Sequence, residues 1–309
     1  MSRAADLLQA HAETMKLARL LGCDPGRLEY LERLPPDDLR ALRDGVTEAL
    51  YDAHGGSLAR LAAASRLLPS GLTATIGQRA FGPLLSARLA GLLEPARAVE
   101  VAGKLPPAFL ADVAVELDPR RADDLIANLA PALIGQVTGE LTARREYVTM
   151  GRFVGHLGDE ALAAALGAMD DEAVLQVAFV LEDRSQLSHL LGRLTKRRSA
   201  GVVAAAAQEG LWLEALDLLN HLSKRQRSEM VEAALALDAT SLEAILDAII
   251  EHELWGEVLL IAEHDTTIQE RLARRLETLP PRRRREVAQR AREADALERL
   301  PVLEQALGT

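Results

Sequence analysis

Leu105-Pro106-Pro107-Ala108-Phe109-Leu110-Ala111-Asp112-Val113-Ala114-Val115-Glu116-Leu117-Asp118-Pro119-Arg120-Arg121-Ala122 states one structural unit and begins its repetition. A leucine is followed by two residues suited to a helix start and then by an amphipathic stretch, and twelve positions on the leucine returns. The same step extends outward. Leu93, Leu105, Leu117, Leu129 and Leu141 keep it, and after one longer unit it resumes at Leu157, Met169 and Leu181. Fixed internal periodicity is the signature of stacked repeats.

The two positions after each marker are Glu94-Pro95, Pro106-Pro107, Asp118-Pro119, Ala130-Pro131, Gly158-Asp159, Asp170-Asp171 and Glu182-Asp183. Proline suits the first helical position, where its missing N–H is not needed, and Asp there caps free amides and complements the helix dipole. Each unit therefore restarts a helix. Apolar residues then fall on one face: Leu110, Val113 and Ala114; Ala122, Leu125 and Ile126; Val174, Val177 and Ala178. One long bundle helix is the competing reading, but Pro95, Pro107, Pro119 and Pro131 would each break its interior at about 3 kcal/mol. Helices this short are marginal alone, so stacking is obligatory.

The expected fold is an all-α, right-handed superhelical solenoid of short helices, with about 12 residues per helix unit and about 24 per hairpin, and with longer hairpins in the C-terminal third. Residues 1–92 read as an N-terminal helical region, 93–195 as the short-helix repeat block, and 196–309 as helical hairpins ending in a basic helix. No Gly/Ser linker interrupts them, which predicts one continuous body.

Composition agrees with this reading. Hydrophobic residues make up 49% of the 309 and aromatic residues only 3%, so the core must be Ala, Leu and Val rather than the β-branched and aromatic mixture of sheets. Basic residues are almost all arginine, with lysine only at 16, 104, 196 and 224; with the abundant alanine, this points to a GC-rich bacterial genome. One cysteine, Cys23, rules out an internal disulfide framework. No apolar run approaches the ~20 residues of a spanning helix, and the N-terminus lacks a signal-peptide core. A soluble, cytoplasmic protein is expected.

The block around Leu105–Ala122 resembles the cytosolic N-terminal domain of MgtE-type magnesium transporters, whose units run Leu-Pro/Asp-Pro, apolar helix, Glu-Leu-Asp-Pro. A related short-helix superhelix occurs in the flagellar motor switch protein FliG. The resemblance covers about residues 93–195, and its motif is structural rather than catalytic. It implies a right-handed superhelix and, as an alternative function, a magnesium-responsive regulator. The absence of a transmembrane segment and of a β-α-β pattern after residue 195 argues against a transporter.

Chemistry-bearing constellations are few. Asp37-Asp38, Asp123-Asp124 and Asp170-Asp171 supply the carboxylates that Mg²⁺ requires, and Asp123, Asp124, Asp170 and Asp171 are the candidate metal residues, although two of the three pairs sit at helix starts, where capping explains them without a metal. His252-Glu253-Leu254-Trp255-Gly256 lacks the second histidine of a zincin helix. Cys23 has no histidine nearby, and the glycines from Gly151 to Gly158 match no phosphate-binding loop; they mark a bend between two repeat blocks. Trp212 and Trp255 read as core anchors. No catalytic residue and no cofactor is assigned.

Charge is unevenly distributed. Residues 1–270 carry 26 basic and 40 acidic side chains, whereas Arg271 to Arg299 carries ten arginines against five acids. An acidic body of this kind is poorly suited to wrapping nucleic acid. Arg282, Arg283, Arg284 and Arg285 are the candidate partner-binding residues; a solvated helix face paired with Glu286 and Glu293 is the plain reading, and docking of residues 282–299 on the chain's own last repeats or on a second copy, supported by Val287, Leu297 and Leu300, is the expected alternative to an external partner. The leading functional expectation is a non-enzymatic scaffold that binds proteins of unstated identity and can self-associate. A groove enzyme is the least favoured.

Overall fold

The structure is a computed structural model that describes residues 3–52, 55–181, 183–219 and 221–307. It is all-helical, with no strand among the described residues. It divides into two compact units, one of Asp6–Asp183 and the other beginning at Arg184. Glu182, part of one marker pair, lies outside the described residues.

The first unit opens with α1 (Arg3–Leu21), which stops at Gly22, where φ is +63°. A left-handed glycine after the last turn is a common helix stop. Asp24 caps a 3₁₀ segment, Pro25–Arg33, by accepting from the Gly26 amide. Then follow α2 (Pro36–Asp52), α3 (Gly55–Ser65) and α4 (Ser70–Ile76), the last continued by a π-helical turn, Gly77–Phe81, and then α5 (Gly82–Ala90). The repeat block supplies α6 (Pro95–Ala102), α7 (Pro107–Glu116), α8 (Asp123–Ala127), α9 (Pro131–Ala143), α10 (Tyr147–Phe153), α11 (Asp159–Ala168) and α12 (Asp171–Phe179).

Pro95, Pro107 and Pro131 each stand at a helix start, as the missing N–H dictates. Pro119 departs from the expected unit: it opens only a 3₁₀ turn, Pro119–Arg121. The Asp118 carboxylate there accepts from the Arg120 amide and guanidinium, and the helix restarts at Asp123 after Ala122 leaves helical geometry. Packing skips one helix at a time. In one row α5, α7, α9 and α11 touch in succession; α4, α6 and α8 form another. Their shared interior includes Phe109, Val113, Leu117, Leu125 and Ile126.

In the long unit a left-handed Arg145, with φ +57°, separates α9 from α10, and α10 gives way to a 3₁₀ turn, Val154–His156, within the glycine-marked stretch before α11. Gly151, at the start of that stretch, is buried inside α10. A Cβ there would stand 2.9 Å from the Val180 carbonyl oxygen, so glycine serves a close approach between α10 and the end of α12.

The second unit comprises α13 (Leu187–Gly192), α14 (Lys196–Glu209), α15 (Trp212–Leu219), α16 (Lys224–Leu235), α17 (Ala239–Glu251), α18 (Trp255–Ala262), α19 (Thr266–Glu277), α20 (Pro281–Glu293) and α21 (Pro301–Leu307). Side chains of Thr195, Ser223, Asp238 and Asp265 cap four of these helices, and Ser223 with Gln226 forms a capping box. The rows here are α14–α16–α19–α21 and α15–α17–α20. One core gathers Leu246, Trp255, Leu276, Val287, Leu297 and Leu300.

Candidate functional site

The acidic pairs all fall at helix starts. Asp37 and Asp38 lie in the first turn of α2, and Asp123 and Asp124 in the first turn of α8. Asp170 accepts from the Ala173 amide at 2.7 Å as the cap of α12, and Asp171 follows in its first turn. Asp123 also meets His156 Nδ1 at 2.6 Å. Among the described residues no group of three or more His, Cys, Asp or Glu side chains converges as a metal cage would require. His252 is exposed, and His264 lies 3.9 Å from Glu263 on the surface. Cys23 is a free, half-buried thiol, and Trp212 and Trp255 are buried.

The arginine-rich segment is fastened to its own unit. Helix α20 buries Val287, Ala288 and Ala291 and packs on α17 and α21, while Leu297 and Leu300 are buried just beyond it. Arg283, only 16% exposed, bridges Asp247 of α17 and Glu286. Arg299 grips Glu263 with two nitrogens at 2.5 and 2.8 Å. Arg282 and Arg285 face solvent. Since exposed ion pairs contribute about 0–1 kcal/mol each, replacing Arg282, Arg284 and Arg285 with glutamine should leave the melting temperature nearly unchanged. Adding Arg283→Gln should lower it measurably, because a half-desolvated pair to α17 is lost.

The hydrogen bond from Arg299 holds the Glu263 carboxyl below its usual range. A depressed carboxylate contributes stability that is present above its unfolded value, near 4.3, and is lost as pH falls through the folded value. Arg299→Gln should therefore lower the melting temperature at neutral pH, and the gap to wild type should close in acid below about pH 4. Thermal melts from pH 7 to pH 3 read this directly.

Sequence reasoning missed three features, all in the first unit or its helices. The first is a buried ionic cluster. Glu13 of α1, 3% exposed, lies 2.9 Å from Lys16 Nζ, 3.2 Å from Arg43 and 3.6 Å from Arg40 of α2. Lys16 Nζ also reaches the Leu181 carbonyl at 3.5 Å, and Arg19 bonds Glu146 at 2.9 Å. Helix α1 is thereby tied to α2 and to the chain beyond α9 and α12.

The second is the distribution of exposed apolar residues. Among the described residues every exposed large hydrophobic side chain lies between Leu7 and Leu92, including Tyr30 at 64%, Leu67 at 88%, and Leu72, Leu84 and Leu92. Single exposed leucines are ordinary, but their confinement to one part of a chain is a mark of an interaction face. The signal lay in the leucine-rich stretch from Leu58 to Leu93, whose burial could not be read without the fold.

The third is an apolar cavity of ≈ 180 Å³ within the Asp6–Asp183 unit, walled by residues from α3 through to Met169 beyond α11. Its lining carries no charged side chain and no imidazole. Comparison of the chain with known protein families, curated proteins and solved structures finds no match.

Proposed function

We propose that this chain is a non-enzymatic, cytoplasmic helical-repeat scaffold that docks other protein chains, a second copy included, through its N-terminal third. The observation that carries the reading is the confinement of exposed leucines to residues 7–92. We read the stack as a right-handed superhelix with a hairpin repeat of about 24 residues; the rows of the Asp6–Asp183 unit support the hairpin part of that reading, because stacked hairpins place each helix against the next but one. Solenoids expose apolar faces where stacking stops, and such a face is either capped or used. Helices α3, α4 and α5 bury few side chains of their own, namely Leu58, Ala62, Ala74, Ala87 and Leu89 among those described, and leave Leu72 and Leu84 outward, with Leu67 exposed in the turn between α3 and α4. No helix among the described residues is long and apolar enough to cross a membrane.

The test is cross-linking of the native chain beside a variant carrying Leu67→Glu, Leu72→Glu and Leu84→Glu, with folding checked by circular dichroism. Wild type should yield a discrete cross-linked assembly that the variant loses. Equal cross-linking of both chains would overturn the reading.

A further inference from the structure

We infer that the partner seated on the docking face is a second copy of this chain, with the acidic outward stripe of α2 in one copy lying on the basic apolar surface of α3 to α5 in the other. The inference rests on the scaffold reading and names its partner.

The fold leaves the first of these surfaces acidic. Helix α2 turns both of its arginines inward, Arg40 and Arg43 each reaching the buried Glu13. What stays exposed recurs at helical spacing, so that Asp38, Ala41, Leu42, Gly45, Glu48 and Ala49 form one stripe. Asp37 beside them is paired with Arg40, but Asp38 and Glu48 meet no cation among the described residues. Gly45 sharpens the point. Glycine is a poor helix former, and a Cβ at Gly45 would meet nothing within 4 Å. No contact within the chain calls for it, whereas a helix crossing the stripe would, since side-chain size at the contact sets how closely two axes approach.

The second surface has the opposite sign. From residue 55 to residue 93 the chain has four arginines and no Asp or Glu. Arg66 is engaged with Glu94 and Arg88 is half-buried. Arg60 bonds only the Gly56 carbonyl of its own helix, and Arg79 is exposed; neither meets a carboxylate among the described residues. Beside Arg60, α3 exposes Ala59, Ala63 and Ala64, with Leu67 following, and Leu72 and Leu84 stand outward on α4 and α5.

Charge then selects the occupant. Outside residues 7–92 no large hydrophobic side chain is exposed among those described, so a second copy offers exposed leucines only from that third. The stretch around Tyr30 and Leu34 mixes Glu29 with Arg27 and Arg33, all exposed, whereas the exposed charges of α2 are carboxylates alone. Like surfaces would set guanidinium against guanidinium or carboxylate against carboxylate, and the crossed pairing is the attractive one. A two-fold arrangement makes that contact twice.

Sedimentation of the purified full chain tests this. Wild type should associate beyond the monomer at low salt and dissociate as salt rises. Asp38→Arg with Glu48→Arg should weaken association by about ten-fold or more, as should Arg60→Glu with Arg79→Glu, each with the helical circular dichroism signal retained. Mixing the two variants, or combining all four changes in one chain, should restore association, because the crossed pairing is again attractive. Gly45→Leu should weaken it with no change of charge. Should a charge variant fail to fold, benzoylphenylalanine placed at Leu42 in mixed isotope-labelled and unlabelled chains should cross-link between copies to residues 59–92. A strictly monomeric chain, association indifferent to both charge reversals, no restoration on mixing, or Leu42 cross-links confined to α14–α21 would overturn the inference. A monomeric purified chain whose native cross-links still vanish with Leu67→Glu, Leu72→Glu and Leu84→Glu would sink this inference alone and leave the docking reading standing with a different protein as partner.

Discussion

Replacing Glu13 with alanine is expected to destabilise the Asp6–Asp183 unit by about 3 kcal/mol, more than any surface ion-pair change. The carboxylate is 3% exposed and sits among three cations, Lys16, Arg40 and Arg43. Removing it takes away the carboxylate that Lys16 and Arg43, both almost inaccessible, share, although Arg43 keeps Asp44 at 3.2 Å. Breaking a buried pair costs far more than the pair contributes over an apolar substitute, since the remaining charge stays desolvated. The exposed counterpart is Glu32, which meets His11 at 2.7 Å near the surface. Glu32→Gln should cost only about 0–1 kcal/mol. Urea melts of the two variants should separate clearly. Limited proteolysis of Glu13→Ala should also cut first within α1, because that network fastens it.

Gly151→Ala is expected to destabilise by about 2 kcal/mol, against the sign that helix propensity alone dictates. In an open helix interior alanine is better than glycine by about 1 kcal/mol. Gly139 in α9 shows the open case, with nothing within 4 Å of an added Cβ, so Gly139→Ala should raise stability by up to about 1 kcal/mol. At Gly151 the added carbon would meet Val180 Cγ2 and the Val180 carbonyl oxygen, each at 2.9 Å. Backbone cannot rotate aside as a side-chain end can, so the α10–α12 contact itself must open. Paired thermal melts of the two alanine variants should move in opposite directions.

The contrast between these glycines shows where the sequence was legible. Pro95, Pro107 and Pro131 announce helix starts through local covalent geometry, and the apolar spacing of Val174, Val177 and Ala178 announces a buried face; both readings hold. The C-terminal helices were equally readable, from Lys196–Glu209 to Thr266–Glu277, because caps and amphipathic periods lie within each segment. Pro119 was misread because the same residue type opens a 3₁₀ turn here, where the Asp118 carboxylate accepts from both the amide and the guanidinium of Arg120 and the helix restarts only at Asp123. Gly151 gave no sign of Val180, since a close approach is a property of two distant segments. The Glu13–Lys16–Arg43 cluster was invisible for the same reason: three charged residues read as solvated until α1, α2 and Leu181 are brought together. The cavity is harder still, because alanine and leucine line a cavity and fill a core with the same letters.

The proposed docking face is tested most directly by amide hydrogen exchange of the full chain, compared in its isolated and assembled states after native purification. The account predicts new protection concentrated in residues 58–92, over α3, α4 and α5, with α16–α20 unchanged. Protection confined to α16–α20, with none in residues 58–92, would contradict it.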